Sequence, residues 1–243
     1  MDITVLGSGS AIQFEQRASA SFLLETGGQK ILLDAGFLLM DRMERAGVRA
    51  DEIDAVYISH KHPDHFLGLI HLLFALKNPF YKPKKELLIF GFKGLEEWFE
   101  NFHKLLGRWV ETESKLIFSE SEYGSIGSTR WEIFSTVHSP ESTGVIIFAE
   151  GKKVVYTGDT EYFESLADIA KGADLMIAEC GSGNGKKTKG HMSLNDIYRT
   201  TAVSGASKVL LTHIYPETEK TPEKWQKEAT EFMRSGDLRK ISL

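Results

Sequence analysis

Apolar residues in this chain come mostly in short runs punctuated by glycine and polar turns. Short runs rich in β-branched, aliphatic or aromatic side chains read as strands. The pattern predicts strands over 3–6, 21–25, 30–34, 55–58, 87–90, 115–119, 130–137, 143–149, 153–157, 174–179 and 208–212. Thr26-Gly27-Gly28-Gln29 and Glu150-Gly151-Lys152 supply tight turns between neighbouring strands. Helix-like stretches lie between them, over 38–46, 51–54, 66–77, 94–109, 165–171, 193–203 and 222–233. Ser193 with Asp196 makes a capping-box-like start, and Thr221 before Pro222 offers an N-cap with proline at N1.

Strands crowd together at the start of the chain and again in its middle, with helices placed irregularly. That order fits two sheets packed face to face with helices outside, an α/β arrangement unlike a regular βαβ alternation. The chain has 243 residues and no internal repeat or linker-like tract, so one domain over 1–243 is expected. Its 42% hydrophobic content can fill a core, and the single cysteine, Cys180, rules out an intrachain disulfide.

Charge mainly excludes. A net charge of −5 argues against a non-specific nucleic-acid binder, which needs excess Lys and Arg to neutralise phosphates. The start of the chain lacks the basic and apolar segments of a signal peptide. No apolar stretch approaches the roughly 20 residues that cross a bilayer. A cytoplasmic enzyme with no membrane association is expected.

The chemistry concentrates in His60-Lys61-His62-Pro63-Asp64-His65, directly after the strand 55–58. An apolar strand there runs into a loop with four potential ligands in six residues, although the whole chain has only 8 histidines. Imidazole and carboxylate suit zinc and its first-row neighbours. Pro63 stiffens the loop by fixing one backbone angle. Three more ligand types fall at strand ends: His138, Asp159 and His213. Alone, each would read as a polar cap on a strand. Together with the first cluster they point to one metal site.

These motifs, in this order, resemble the metallo-β-lactamase superfamily. The resemblance rests on the cluster 60–65, His138, Thr157-Gly158-Asp159-Thr160 and His213. It extends to Leu6-Gly7-Ser8-Gly9-Ser10 and to Leu32-Leu33-Asp34-Ala35-Gly36. It implies a four-layer αββα sandwich with two divalent metal ions at one edge, zinc first, with manganese or iron as alternatives. On that pattern His60, His62 and His138 hold one ion. Asp64, His65 and His213 hold the other, and Asp159 bridges them. Asp34 matches a family residue near the metals that is usually not a ligand. Two neighbouring ions can share a hydroxide as nucleophile and stabilise the attacked and departing oxygens. Asp64 would accept a proton from the attacking water.

Shorter matches narrow the branch. Arg17-Ala18-Ser19-Ala20-Ser21, Ala178-Glu179-Cys180 and Gly190-His191-Met192-Ser193 resemble ribonuclease Z-like members. That branch implies a Glu179–His191 couple in which Glu179 orients His191. His191 then stabilises phosphoryl oxygens or protonates the leaving group. The plainer role for His191 is to precede the helix beginning near Ser193. No cysteine replaces a ligand and no flavodoxin-like extension follows, which disfavours two other branches.

The tRNA-processing members carry a long tRNA-gripping arm between the motifs matching His138 and Asp159. Here that interval holds only two strands and a turn. The resemblance therefore favours a small anionic phosphodiester, cyclic or a short nucleotide, over tRNA. Hydrolysis of carbon esters, thioesters or lactones on the same metals is the alternative, and a non-catalytic metal-binding module is the third. Monomer and homodimer both stay open.

Other features carry less. Gly7-Ser8-Gly9-Ser10-Ala11-Ile12 fails the dinucleotide fingerprint at Ile12 and lacks a P-loop ending. The loop with Lys186, Lys187 and Lys189 either draws in an anionic substrate or is simply solvated. Phe74, Phe80, Tyr81, Trp98, Phe99, Phe102 and Trp109 either wall a substrate pocket or fill the core. His71 and His103 receive no role.

Overall fold

The central strands of both sheets are buried on both of their faces, so each sheet needs cover on both sides. The computed structural model describes residues 1–243 apart from Gln13, Pro83, Lys85, Asn184, Gly185 and Lys187. Lys187 of the basic loop therefore lies outside the described residues.

The first sheet contains β1 (Asp2–Gly7), β2 (Ser21–Thr26), β3 (Gln29–Leu33), β4 (Ala55–Ile58), β5 (Glu86–Gly91) and β6 (Lys115–Ser119), in that spatial order. The second runs outward to its edge through β7 (Tyr123–Ile126), β8 (Thr129–Ser135), β9 (Thr143–Ala149), β10 (Lys152–Tyr156), β11 (Leu175–Glu179) and β12 (Lys208–Thr212). It continues through β14 (Thr230–Arg234) to β13 (Lys224–Lys227), while β15 (Lys240–Ser242) pairs back onto β1. Parallel pairing joins β3 through β6, and again β10, β11, β12 and β14.

Side-chain alternation sorts the layers. Phe22 and Leu24 point between the sheets, where Val145, Ile147, Tyr156 and Ile177 meet them. Leu23 and Leu32 point outward to α1 (Leu39–Ala46), α2 (Pro63–Leu76) and α3 (Leu95–Leu106). Val155, Met176 and Leu211 pack outward under α4 (Leu166–Ile169) and α5 (Leu194–Ser204). The result is an αββα sandwich. No helix among the described residues is long and apolar enough to cross a membrane.

Several elements differ from the reading of the sequence. The stretch 222–233 is not a helix but the hairpin β13–β14. Its Glu, Lys and Ala residues favour helix, yet β14 pairs with β12, and Trp225 stacks on Phe232 across the hairpin at 5.3 Å. Sheet pairing and that cross-strand contact override local propensity. The edge strands β7 and β15 also lie outside the expected strands.

Two boundary shifts bear on the site. α2 begins at Pro63, with His62 as an extended N-cap, because proline is already preset for the first helical position. Asp64 and His65 thus sit on a helical first turn and not in a loop. β8 stops at Ser135, short of the expected 137, and the freed chain is held by Val137 N–H donating to Thr160 Oγ1 at 3.0 Å. His138 follows directly. The remaining differences are small: a 3-10 turn, Ala50–Glu52, replaces the helix at 51–54, and α3 ends at Leu106 before a second such turn.

The aromatics after α2 face the outer layer. Trp98 and Phe102 pack on Phe66, Phe99 is buried among them, and Phe74, Phe80 and Trp109 remain exposed. Phe80 and Tyr81 border a hollow with Met40, Met43 and Arg49.

Candidate metal centre

The parallel strands β3, β4, β10, β11 and β12 end at one common rim, and each delivers a polar side chain just beyond its last residue or at it. They supply Asp34, His60, Asp159, Glu179 and His213 in turn. The first turn of α2 adds Asp64 and His65, and the segment after β8 adds His138. α2 can approach this closely because Gly36 and Gly68 have no side chain. A Cβ on Gly36 would lie 2.3 Å from Asp64 O, and one on Gly68 would lie 2.4 Å from Gly36 O.

The rim brings together all seven side chains expected to be ligands. His60, His62, His138 and Asp159 form one group, and Asp64, His65 and His213 a second. Asp159, His191 and His213 form a third. Within each, the candidate ligand atoms lie within 4.8 Å of one another. Asp159 is central: its Oδ2 lies 3.2 Å from His213 Nε2, 3.4 Å from His65 Nε2, 3.7 Å from His138 Nε2 and 3.8 Å from His60 Nε2. Asp64 Oδ2 lies 3.5 Å from His213 Nε2 and 3.6 Å from His65 Nε2.

A hydrogen-bond network fixes which ring nitrogens face inward. Asp34 is fully buried and accepts from Ser59 N–H at 2.7 Å, Ser59 Oγ at 2.7 Å and the Tyr156 hydroxyl at 2.6 Å. Its Oδ2 also accepts from His65 Nδ1 at 2.7 Å. Since the Ser59 hydroxyl donates to Asp34, it accepts from His60 Nδ1, 2.9 Å away. His138 Nδ1 donates to Gly190 O at 2.7 Å. In their neutral forms all three imidazoles thereby carry their proton on Nδ1 and turn Nε2 toward Asp159. Such outer hydrogen bonds orient ligands and raise their basicity.

That arrangement provides a test of whether a cation fits. Buried polar atoms are nearly always hydrogen-bonded. Yet His60 Nε2, His65 Nε2, Asp159 Oδ1 and both ring nitrogens of His213 are buried without a hydrogen-bond partner among the described residues. Orphaned imidazole and carboxylate atoms around one small space are the donor set a divalent first-row metal takes. They fit it.

Electrostatics differ between the two candidate ligand groups, and His65 in its carboxylate cage attracts positive charge, a proton or a cation. Burial holds the His60 imidazole well below its ordinary range, so it is neutral. Burial opposes charge on His65 as well, but Asp159 and Asp34 outweigh it and hold that imidazole well above its ordinary value. Burial raises the Asp64 carboxyl, but His213 and His65 outweigh it and bring it down to about 2. Backbone strain marks the rim too, because Asp34 at φ 56° and His213 at φ 54° both occupy the left-handed region.

Glu179 and His191 meet beside these groups. His191 Nδ1 donates to Glu179 Oε1 at 3.0 Å, and Thr160, Gly181 and Met192 each donate a backbone N–H to the same carboxylate. Burial pushes the Glu179 carboxyl up, with His191 opposing it. Burial disfavours charge on His191, but Glu179 outweighs it and raises the imidazole. The His191 ring lies 5.1 Å from those of His138 and His213. Gly181 permits this placement, since a Cβ there would lie 2.7 Å from His191 Cβ.

Sequence reasoning missed Ser59, Tyr156 and Tyr215. Tyr215 contacts the rings of His213 and His191 at 5.3 and 5.8 Å, and burial, then Asp159 and Glu179, push its phenol up to about 12. Ser59 was signalled only by its place before His60. Of the two histidines left without a role, His103 pairs with Glu111 at the surface.

Known proteins share this architecture. The chain is 28% identical over 219 residues to a probable metallo-hydrolase, YhfI, of Bacillus subtilis, covering 88% of this chain and 87% of that one. The crystal structure of YhfI superposes with a TM-score of 0.77 at 27% identity, over 87% and 85% of the two chains. Ribonuclease Z of Methanothermobacter thermautotrophicus is 25% identical over 274 residues, covering 91% and 89%. The short form of human tRNase Z matches in fold, with a TM-score of 0.80 at 22% identity over 100% and 99%. Fold and site define a metal-dependent hydrolase of the metallo-β-lactamase superfamily, in its ribonuclease Z-like branch. Within it, the chain belongs to the anti-Pycsar protein Apyc1 family, whose model matches residues 1–238.

Proposed function

We propose that this protein is a phosphodiesterase for a small phosphodiester, a cyclic or short nucleotide. The observation that carries this reading is the Glu179–His191 pair, seated 3.0 Å apart beside the ligand groups. A proton donor at the site serves the departing oxygen of a phosphodiester.

Two divalent cations, zinc first and manganese or iron as alternatives, fit the proposed ligand sets. One set is His60, His62 and His138, the other Asp64, His65 and His213, with Asp159 common to both. When bound, they supply positive charge that acidifies water and neutralises phosphoryl oxygens. The side chains do the rest. Asp34 and Ser59 hold His65 and His60 in the tautomer whose Nε2 is free. With its carboxyl held near 2, Asp64 is a poor store for a proton. Its role in this reading is to orient the attacking water by accepting a hydrogen bond from it. His191 keeps Nδ1 on Glu179, which leaves Nε2 to protonate the leaving oxygen.

The substrate is small in this reading because β9 and β10 fill the interval between His138 and Asp159, where the tRNA-processing members carry their arm. Relatives in this branch are named as ribonucleases, and that name describes phosphodiester cleavage. A panel assay of metal-reconstituted protein tests the proposal, setting bis-aryl phosphates and cyclic nucleotides against thioesters and lactones. Turnover of the phosphodiesters supports it. Turnover confined to carbon esters overturns it and leaves the metal site standing.

A further inference from the structure

His213 is held differently from the other buried imidazoles. His60, His65 and His138 each meet an outer partner through Nδ1, namely Ser59, Asp34 and Gly190. In His213, Nε2 faces Asp159 Oδ2 at 3.2 Å and Asp64 Oδ2 at 3.5 Å, so Nδ1 is its outer nitrogen. That Nδ1 is buried and has no hydrogen-bond partner among the described residues. The torsion that turns an imidazole has broad wells, so a ring without such a bond can swing Nε2 away from the carboxylates. Something else must fix it.

The backbone fixes only where the ring starts. Ile214 N–H donates to Ser8 O at 2.9 Å, beside the left-handed His213. Ser8 is tied down in turn: its N–H and hydroxyl donate to Asp237 Oδ1 at 3.0 and 2.6 Å, and Arg17 Nη1 donates to its hydroxyl oxygen at 2.6 Å. The Gly-rich opening of the chain thus locks the main chain at His213 and leaves the ring torsion open.

Ring packing closes it. The His213 imidazole lies nearly parallel to those of His65 and His191, at 5.5 and 5.1 Å. Tyr215 meets it at 5.3 Å and a steep 61°, the edge-to-face arrangement that aromatic pairs favour. Tyr215 is itself well anchored. Pro216 biases it toward an extended backbone, and Glu219 N–H donates to Tyr215 O at 3.0 Å. Its hydroxyl neighbours the side chain of Ser10, in the same Gly-rich loop.

We infer that Tyr215 is the positioning residue of His213, its ring doing for this imidazole what an outer hydrogen bond does for the other three. The inference rests on the two-cation reading of these side chains and requires no particular substrate.

Chelator-competition titration of the full-length protein with zinc tests it. The binding step that His213→Ala removes belongs to the cation of Asp64, His65 and His213. In Tyr215→Ala the affinity of that step is expected to fall about tenfold, the low end of the cost of losing an outer partner, with the other step unchanged. Tyr215→Leu restores apolar bulk without a flat ring and is expected to lose as much. Tyr215→Phe keeps the ring and is expected to keep the affinity. Wild-type affinity in Tyr215→Ala, an equal loss at both steps, or a loss in Tyr215→Phe as large as in Tyr215→Ala overturns the inference. If wild type shows no step that His213→Ala removes, the ligand reading falls by itself. Crystal structures of metal-free wild type and Tyr215→Ala then decide the packing. More than one orientation of the His213 ring in the variant alone supports the inference, and the same single orientation in both overturns it.

Discussion

The hydroxyl of Tyr156 crosses the seam between the two sheets and donates to Oδ2 of Asp34 at 2.6 Å. The same oxygen accepts from His65 Nδ1 at 2.7 Å. One buried carboxylate thus connects a strand of the second sheet to a candidate ligand, His65, at the start of a helix packed on the first.

Tyr156→Phe removes that donor and leaves the rest of the packing in place. Affinity for the cation at His65 is expected to fall by up to about 10-fold, the low end of the cost of losing a ligand's outer-shell partner, because Asp34, the direct partner of His65, stays in place. Chelator-competition titration reads it. An unchanged affinity would mean that Ser59 alone fixes Asp34.

Cation removal should destabilise the fold. Bound ions satisfy ring nitrogens of His60, His65 and His213 that otherwise have no partner. Each ion held at about 100-fold over its Kd contributes about 2.7 kcal/mol. For a chain of this size that corresponds to roughly 5–10 °C in Tm. Thermal denaturation before and after chelation, and again after zinc is restored, measures it. A melting temperature indifferent to both treatments contradicts the expectation.

His191→Ala should lower phosphodiester turnover by about 10²–10⁴-fold with the cation content unchanged, as expected for a lost proton donor. Metal analysis of the variant is part of the measurement, because His191 also groups with Asp159 and His213. If cation content falls along with turnover, His191 is a ligand and the proposed proton-donor role fails.

Much of this arrangement was legible in the sequence because polar residues at strand ends leave a local trace. An apolar run followed by His or Asp marks the rim at His60, His138, Asp159 and His213. What the sequence hides is partnership at long range. Tyr156 reads as one more apolar strand residue, and its contact with Asp34 spans the two sheets. The β13–β14 hairpin hides for the same reason: its composition favours helix, and only pairing with β12 and the Trp225–Phe232 stack decide otherwise. Asp64 and His65 were legible as candidate ligands but not as helical, because Pro63 marks a helix start as readily as it stiffens a loop.

Cys180 gives a pH-dependent prediction away from the ligands. Burial, then Glu179, raise its thiol from 9.0 to about 12. The folded protein at pH ~8 should resist alkylation and become reactive only on unfolding, since the thiolate is the nucleophile. The sign for stability follows. Between these values the unfolded chain loses the thiol proton first, so this contribution is intact below pH 9 and is lost as pH rises toward 12. Alkaline denaturation of wild type against Cys180→Ala checks it, with the difference between them shrinking above pH 9. A difference that stays constant or widens contradicts the assignment.

Anomalous diffraction at the zinc edge, from crystals of zinc-reconstituted protein, tests the central claim most directly. Two peaks are expected, one about 2.0–2.1 Å from imidazole nitrogens of His60, His62 and His138, the other bonded to Asp64, His65 and His213, with Asp159 reaching both. Absence of density at this rim, or metal bound elsewhere on the molecule, would contradict the account.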